Sequence, residues 1–196
     1  MIDAQARSVL ERLYAEDAAQ RAAGLPSSHR TRNLERETGG WLSLLARATR
    51  ARQMLEIGSS NGVSTIWLAL AARETGGTVT GTEILPARAA EANANLRGAG
   101  LARRATVIAG DAQQTIAGLA GPFDLVFIDA EKDDYIAHFL AAIDKVRVGG
   151  LILADNVISH DISTYQALLR ARADVETATV PIGRGIEFTL KTGGAG

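Results

Sequence analysis

Residues 54–62 read Met54-Leu55-Glu56-Ile57-Gly58-Ser59-Ser60-Asn61-Gly62, a short apolar run followed by a turn that carries two glycines. The apolar run predicts a buried strand, and a helix is predicted directly after the turn, over residues 64–73. Glycine lets the backbone of such a turn come close to a ligand. In a doubly wound sheet the exit turn of the first strand faces the crevice where ligands bind. The stretch therefore predicts an α/β fold with a binding site at this turn.

Strands and helices alternate through the rest of the chain. Strict alternation of this kind is typical of a Rossmann-like, doubly wound and mostly parallel sheet with right-handed crossovers, here with seven strands. The last two strands flank Ile182-Gly183-Arg184-Gly185 and predict an antiparallel hairpin at the sheet edge. The seven strands are predicted at residues 53–57, 78–82, 105–109, 123–128, 150–154, 177–181 and 186–191. Further helices are predicted at residues 86–98, 113–119, 135–146 and 163–173.

Length and composition predict a single globular domain over residues 1–196, since 46% of the residues are hydrophobic and 22% are charged. Residues 1–23 predict an amphipathic helix that packs on the body or on a second subunit, and residues 193–196 a frayed tail. The mixed charges of the first segment are those of neither a signal peptide nor a membrane span. The absence of cysteine fits a reducing compartment, so we expect a cytoplasmic protein.

The net charge of -1 offers no electrostatic footprint for nucleic acid, so small-molecule partners are expected. Two later strands each end in polar residues, Asp129-Ala130-Glu131-Lys132 and Asp155-Asn156. Side by side, these strand ends would present three oxygen ligands and one amine, which is a hard-metal site with a base beside it. The alternative interpretation is that the acidic residues cap turns or orient a loop, and that Lys132 is a solvated lysine.

The turn after the first strand indicates the kind of cofactor. It lacks the G-x-G-x-x-G pattern that seats a pyrophosphate, and Glu56, two residues before Gly58, suits an ammonium group better than a phosphate. Glu83 ends the next strand and is placed to accept two ribose hydroxyls, as in enzymes that use NAD or S-adenosylmethionine. Asp111-Ala112 follows the third strand, where the carboxylate either meets an adenine edge or caps a helix.

In this order and spacing, the motifs resemble those of the cation-dependent class I O-methyltransferases, which include catechol O-methyltransferase and bacterial enzymes similar to caffeoyl-CoA O-methyltransferase. The resemblance covers residues 32–191. It rests on five segments: Leu55-Glu56-Ile57-Gly58 with Ser64, Thr82-Glu83-Ile84, Gly110-Asp111-Ala112, Phe127-Ile128-Asp129-Ala130-Glu131-Lys132-Asp133-Asp134-Tyr135, and Gly149-Gly150-Leu151-Ile152-Leu153-Ala154-Asp155-Asn156-Val157.

The resemblance implies that the chain binds S-adenosylmethionine and a divalent cation, magnesium or else manganese or calcium, and that it forms a homodimer. Lys132 is then the catalytic base. The implied metal ligands are Asp129, Asp155 and Asn156. The implied cofactor contacts are Glu56, Gly58, Ser60, Ser64, Glu83, Ile84, Asp111, Ala112 and Asp129, and Arg32 and Leu34 fall where family members touch the cofactor, although the residue types differ.

We therefore expect methyl transfer to a hydroxyl of a small phenolic acceptor with two adjacent hydroxyl groups. The alternatives are an NAD-dependent oxidoreductase on the same sheet and a non-catalytic domain that binds S-adenosylmethionine. Residues 157–180 are shorter than in the plant caffeoyl-CoA enzymes, so recognition of a CoA thioester is not expected. Arg184 could favour a carboxylate-bearing catechol or simply face solvent, and the same choice between substrate contact and surface holds for His160.

Overall fold

Five adjacent parallel strands form most of the sheet in the computed structural model, which describes residues 2–193. The strands lie in the order β3-β2-β1-β4-β5-β7-β6, with β7 antiparallel to both of its neighbours. The predicted fold class, a seven-stranded doubly wound sheet with an antiparallel C-terminal hairpin, is confirmed. The strands are β1 (Gln53–Ile57), β2 (Thr78–Glu83), β3 (Ala105–Ala109), β4 (Phe123–Ile128), β5 (Val146–Asp155), β6 (Val175–Val180) and β7 (Ile186–Lys191).

The helices cover both faces of the sheet because successive strand residues point to opposite sides. Met54 belongs to one buried cluster together with residues of α1 to α4, whereas Leu55 belongs to a second cluster with residues of α6 and α7. Each face therefore has its own apolar core. The helices are α1 (Ala4–Ala22), α2 (Arg36–Ala48), α3 (Val63–Thr75), α4 (Pro86–Gly98), α5 (Ala112–Gly118), α6 (Tyr135–Ile143) and α7 (Ser163–Arg170).

The order of the strands reverses at β1, which pairs with β2 on one side and with β4 on the other. Ligands of open α/β sheets bind outside the carboxyl ends of the strands at such a switch point. The ends of β1 and β4 remain hydrogen-bonded at this point, because the Asp129 amide donates to the Ile57 carbonyl over 2.9 Å. Gly58 has a φ of +91°, and a Cβ added there would overlap the Asp129 carbonyl oxygen, so only glycine fits this turn.

The structure corrects several predicted boundaries. Helix α6 ends at Ile143 and not at Val146, because Val146 pairs with Phe123 and starts a β5 strand that begins four residues earlier than residue 150. Helix α7 ends at Arg170 and not at residue 173, and β6 begins at Val175 and not at residue 177. Apolar periodicity does not separate a helix end from a following strand when both are buried.

The N-terminal helix packs on the body of its own chain, against α3 and α4, through a buried face that includes Ala6, Leu10 and Leu13. Residues 194–196 of the expected frayed tail lie outside the described residues. Within residues 2–193, no helix combines the length and the apolar character that a membrane crossing requires.

The Gly58 turn gives a first prediction. Gly58→Ala should lower the free energy of unfolding by at least about 2 kcal/mol, because alanine is strained at this positive φ and its Cβ overlaps backbone. Gly40→Ala is the matched control. Gly40 lies within α2, where an added Cβ meets nothing within 4 Å, so this substitution should stabilise the protein by roughly 0.5–1 kcal/mol. Urea denaturation followed by circular dichroism measures the free energy of unfolding of both variants. Equal changes in the two variants would contradict the conclusion that only glycine fits at position 58.

Candidate functional site

The carboxyl ends of β4 and β5 bring two acidic residues to the same level of the sheet. Ile128 lies opposite Ala154 in the parallel ladder, so Asp129 and Asp155 are the next residues of two neighbouring strands. Asp155 is buried, whereas the Asp129 side chain is partly buried and 20% exposed. Burial raises the pKa of Asp129, and burial followed by the nearby charge of Asp129 raises the pKa of Asp155. The sequence prediction that these residues converge is in agreement with this geometry.

The Asp155 carboxylate has one oxygen without a partner. Its Oδ2 accepts a hydrogen bond from Asn156 Nδ2 over 2.8 Å, whereas its Oδ1 is buried and has no hydrogen-bond partner within the described residues. Asn156 itself has a φ of +66°, a conformation that costs free energy in a residue with a side chain. Two close carboxylates with an orphaned oxygen fit a hard cation, which prefers oxygen ligands.

A cation at this position would have only a small number of carboxylate ligands. Within residues 2–193 no group of three or more His, Asp or Glu side chains is arranged to hold a metal ion. The candidate set therefore consists of the carboxylates of Asp129 and Asp155 and the amide of Asn156. Three protein ligands leave open positions for water or for ligand oxygens, which is the way magnesium is usually bound.

Lys132 and Tyr135 connect the two strand ends. Lys132 Nζ contacts Asp129 Oδ1 at 3.4 Å, the Ala130 carbonyl at 3.1 Å and Tyr135 Oη at 2.5 Å, which provides an acceptor for each of the three donors of an ammonium group. The Tyr135 hydroxyl lies 3.0 Å from the Asp155 carbonyl and 3.4 Å from the Ile128 carbonyl. Tyr135 thus holds the lysine against the ends of both strands.

On the other side of the switch point, Glu56 carries a second orphaned oxygen. Its side chain is fully buried, and burial raises its pKa. Oε2 accepts hydrogen bonds from Ser59 Oγ at 2.5 Å and from Thr65 Oγ1, but Oε1 is buried without a partner within the described residues. After burial and the Ser59 hydroxyl, the nearby side chain of Ser64 at the start of α3 also acts on Glu56 and lowers its pKa. A buried carboxylate oxygen of this kind suits a cationic ligand group.

Glu83 closes the side of the crevice at β2. The Ser60 amide donates to its Oε2 over 2.8 Å and the Leu85 amide donates to its Oε1 over 2.9 Å, which fixes the carboxylate at the rim. The end of β3 lies next to it, because the Gly110 amide donates to the Glu83 carbonyl over 2.9 Å. Carboxylate oxygens have further lone pairs, so Glu83 can still accept ligand hydroxyls.

The structure gives less direct support to the other positions that were predicted to contact the cofactor. Ile84 is 63% exposed beside Glu83, which leaves an apolar side chain at the mouth of the crevice. Asp111 caps α5, with its Oδ1 accepting from the Gln114 amide over 2.9 Å, and Ala112 is the first residue of that helix. The capping alternative for Asp111 is therefore observed. Leu34 is buried in the core cluster that includes α2 and α3 and does not stand at the open rim.

The segment between α1 and α2 crosses the site and is held by two ion pairs. Arg32 Nη2 contacts Glu131 Oε1 at 2.6 Å, and Glu35 Oε1 contacts Arg184 Nε at 2.7 Å. Burial is the main cause that raises the pKa of Asp129 and of Asp155, and the charge of Glu35 adds a smaller contribution in the same direction, so Glu35 faces the same corner. Sequence reasoning missed Glu35 and the linking role of Tyr135, since no local pattern marks a residue whose partners are distant in the chain.

Comparison with known proteins gives a consistent result. A family model described as O-methyltransferase matches residues 4–192. A catechol O-methyltransferase of Mycobacterium tuberculosis is 46% identical over 74% of this chain and 64% of that protein. A catechol O-methyltransferase of Niastella koreensis is 40% identical over 69% of this chain and 61% of that protein. The chain therefore spans less than two thirds of the length of these relatives. An O-methyltransferase structure from Bacillus cereus in complex with SAH has a TM-score of 0.81 and 29% identity, and covers 94% of this chain and 91% of that chain. The resemblance to O-methyltransferases is confirmed.

Two neighbouring tyrosines test the linking role of Tyr135. Its ring meets that of Tyr165 edge to face at a centroid distance of 5.7 Å, and both side chains are buried. Tyr135→Phe should lower the free energy of unfolding by about 1–3 kcal/mol, because buried carbonyls and Lys132 lose a partner. Tyr165→Phe should be neutral or stabilising, because the Tyr165 hydroxyl has no partner within the described residues. Urea denaturation of both variants measures the free energy of unfolding. An equal loss of stability in the two variants would contradict the linking role of Tyr135.

Proposed function

Since the chain belongs to the O-methyltransferase family, we propose that it transfers a methyl group from S-adenosylmethionine to a hydroxyl of a small aromatic molecule with two adjacent hydroxyl groups, with the help of a divalent cation. The observation that carries the proposal is a pair of buried carboxylate oxygens without a hydrogen-bond partner in the described residues, Glu56 Oε1 and Asp155 Oδ1, on the side of the sheet where the parallel strands end. Each of them gains a partner when a cationic group binds beside it.

In this proposal the turn after β1 receives the methionine end of the methyl donor. Glu56 accepts from the donor's ammonium group, and Gly58 and Ser60 let the donor approach the backbone. Glu83 accepts from the ribose hydroxyls, and the exposed Ile84 covers the adenine. The Bacillus cereus O-methyltransferase structure in complex with SAH supports this choice of donor, because SAH is what remains of S-adenosylmethionine after methyl transfer.

Asp129, Asp155 and Asn156 would hold the cation, which would supply charge that lowers the pKa of an acceptor hydroxyl and fixes its position. A phenol is mostly protonated at neutral pH, with a pKa near ~10, so the reaction requires that a proton leave. We assign its removal to Lys132 Nζ as the general base. The oxygens of Asp129, Ala130 and Tyr135 then hold the resulting ammonium group.

The alignment of the reacting atoms supplies the rest of the rate enhancement in this proposal. Methyl transfer needs the attacking oxygen, the methyl carbon and the sulfur nearly in line, and a rigid site lowers the entropic cost of that alignment. The ladder between β4 and β5 and the Tyr135 hydrogen bonds provide such rigidity. An oxidoreductase that uses NAD finds no support in the family match, and the presence of all three proposed metal ligands argues against a non-catalytic domain. The homodimer and the cytoplasmic location remain predictions.

Removal of the cation is the direct test of the metal proposal. Dialysis against a chelator should abolish methylation of 3,4-dihydroxybenzoate, measured by mass spectrometry, and added magnesium should restore it. Asp155→Ala should lower kcat by roughly 100-fold or more, because a lost ligand removes several kcal/mol of stabilisation. Asp144→Ala, an exposed position at the end of α6, is the control and should leave kcat unchanged. Activity that persists without metal would refute the proposal.

Calorimetry tests the donor site separately. Glu83→Gln should weaken binding of S-adenosylmethionine roughly 10-fold, because hydrogen bonds to a charged carboxylate are stronger than those to an amide. The exposed Glu176→Gln on β6 is the matched control and should bind with wild-type affinity. The wild-type protein should show no binding of NAD. Tighter binding of NAD than of S-adenosylmethionine would reverse the choice of cofactor.

A further inference from the structure

The turn between β6 and β7 lies directly beside the proposed metal ligands. Asp155 is paired with Ile186 across β5 and β7, and the ladder continues past both strand ends. The Val157 amide donates to the Gly185 carbonyl over 3.0 Å, and the Ile158 amide donates to the Arg184 carbonyl over 2.9 Å. The backbone of Arg184 is therefore hydrogen-bonded to the loop that follows Asn156.

The side chain of Arg184 is oriented by an acidic partner from the opposite side of the crevice. Its Nε lies 2.7 Å from Glu35 Oε1, at the residue that precedes α2. The turn packs closely on this helix start, since a Cβ added at Gly183 would overlap Thr38 Oγ1. Glu35 is thus a positioning residue that holds the guanidinium at the rim of the corner formed by Asp129 and Asp155.

The rest of the guanidinium is available. Within residues 2–193 the Arg184 guanidinium has one charged partner, Glu35, which it contacts through Nε, and the side chain is 42% exposed. Both terminal nitrogens can therefore donate in parallel, the geometry with which arginine binds a carboxylate. Ile158, against which Gly185 packs, is 59% exposed and offers an apolar surface to an aromatic ring.

Arg32 is the less suitable cation for such a role. Its hydrogen bond to Glu131, followed by the charges of Glu131, Asp129 and Glu83, raises its pKa. The neighbouring residue Thr31 accepts a hydrogen bond from Ser60 Oγ through its carbonyl over 3.0 Å, which places Arg32 toward the β1 turn and the side proposed for the methyl donor. Arg184 approaches the corner from the opposite direction, through Glu35, the hairpin turn and the loop after Asn156. A group on the acceptor ring remote from its hydroxyls would point toward this side.

We propose that Arg184 determines acceptor specificity and that the preferred acceptor is a dihydroxy-aromatic compound whose ring carries a carboxylate. The inference rests on the proposed function, because it takes the two hydroxyls to lie at Asp129 and Asp155. Arg184 then binds the carboxylate through its terminal nitrogens while Glu35 keeps Nε in place. Arg184 is a binding residue that does not touch the reacting atoms.

The test compares two acceptors that differ in charge and little else, 3,4-dihydroxybenzoate and 3,4-dihydroxybenzamide. Calorimetry in the presence of magnesium and S-adenosylhomocysteine should show that the wild-type protein binds the benzoate roughly 10-fold more tightly. Arg184→Gln should abolish this preference while it leaves the affinity for the benzamide within about two-fold. Arg184→Lys should retain part of the preference, because the charge remains and the paired donors are lost.

Arg172→Gln is the matched control, because Arg172 also pairs with a carboxylate, that of Asp174, away from the site. It should keep the wild-type preference. An unaltered affinity of Arg184→Gln for the benzamide shows that the variant is folded. Equal binding of the two acceptors by the wild-type protein, binding of neither, or an unchanged preference in Arg184→Gln would each overturn the inference.

Methyl transfer to the same two acceptors, measured by mass spectrometry, separates this inference from the proposed function. A binding preference that depends on Arg184, without methylation of either compound, would uphold the specificity role and refute the proposed reaction. Methylation of both compounds with a preference that Arg184→Gln does not alter would leave the reaction in place and refute the role of Arg184.

Discussion

The register of the ladder between β4 and β5 is the constraint on which the site depends. Because Ile128 lies opposite Ala154, Asp129 and Asp155 leave the sheet side by side, and a shift by one residue would turn one of them toward the other face. Tyr135 reinforces this register through its contacts with the carbonyls of Ile128 and Asp155. Position 58 accepts only glycine because the Asp129 backbone occupies the space that a Cβ would need.

The same arrangement lowers the stability of the fold. Burial raises the pKa of Glu56, Asp129 and Asp155, and two of these carboxylates keep an orphaned oxygen. A buried charge without a full set of partners costs stability, and proteins retain such groups mainly where a ligand uses them. The positions of these orphaned oxygens on the two sides of the switch point match the two cationic groups that the proposed function requires.

The rim is formed by segments that are distant in sequence. The connection between α1 and α2 reaches Glu131 through Arg32 and the hairpin turn through Glu35. These pairs are partly exposed, and exposed ion pairs contribute little to stability, so their significance lies in where they place charge. One pair lies toward the proposed donor side and the other toward the proposed acceptor side, which gives each substrate its own charged boundary.

Much of this protein could be predicted from its sequence. Alternating apolar runs and glycine turns determined the fold class. Short motifs at strand ends placed Glu56, Glu83, Asp129 and Asp155 at the same side of the sheet, because these signals are local and parallel strands end at one edge. The exact ends of α6 and β5 could not be predicted, since both are apolar there. Only the tertiary structure decided that Tyr135 links the two strand ends and that Glu35 meets Arg184. Contacts between distant segments depend on how the helices and the hairpin pack, and no local pattern records that packing.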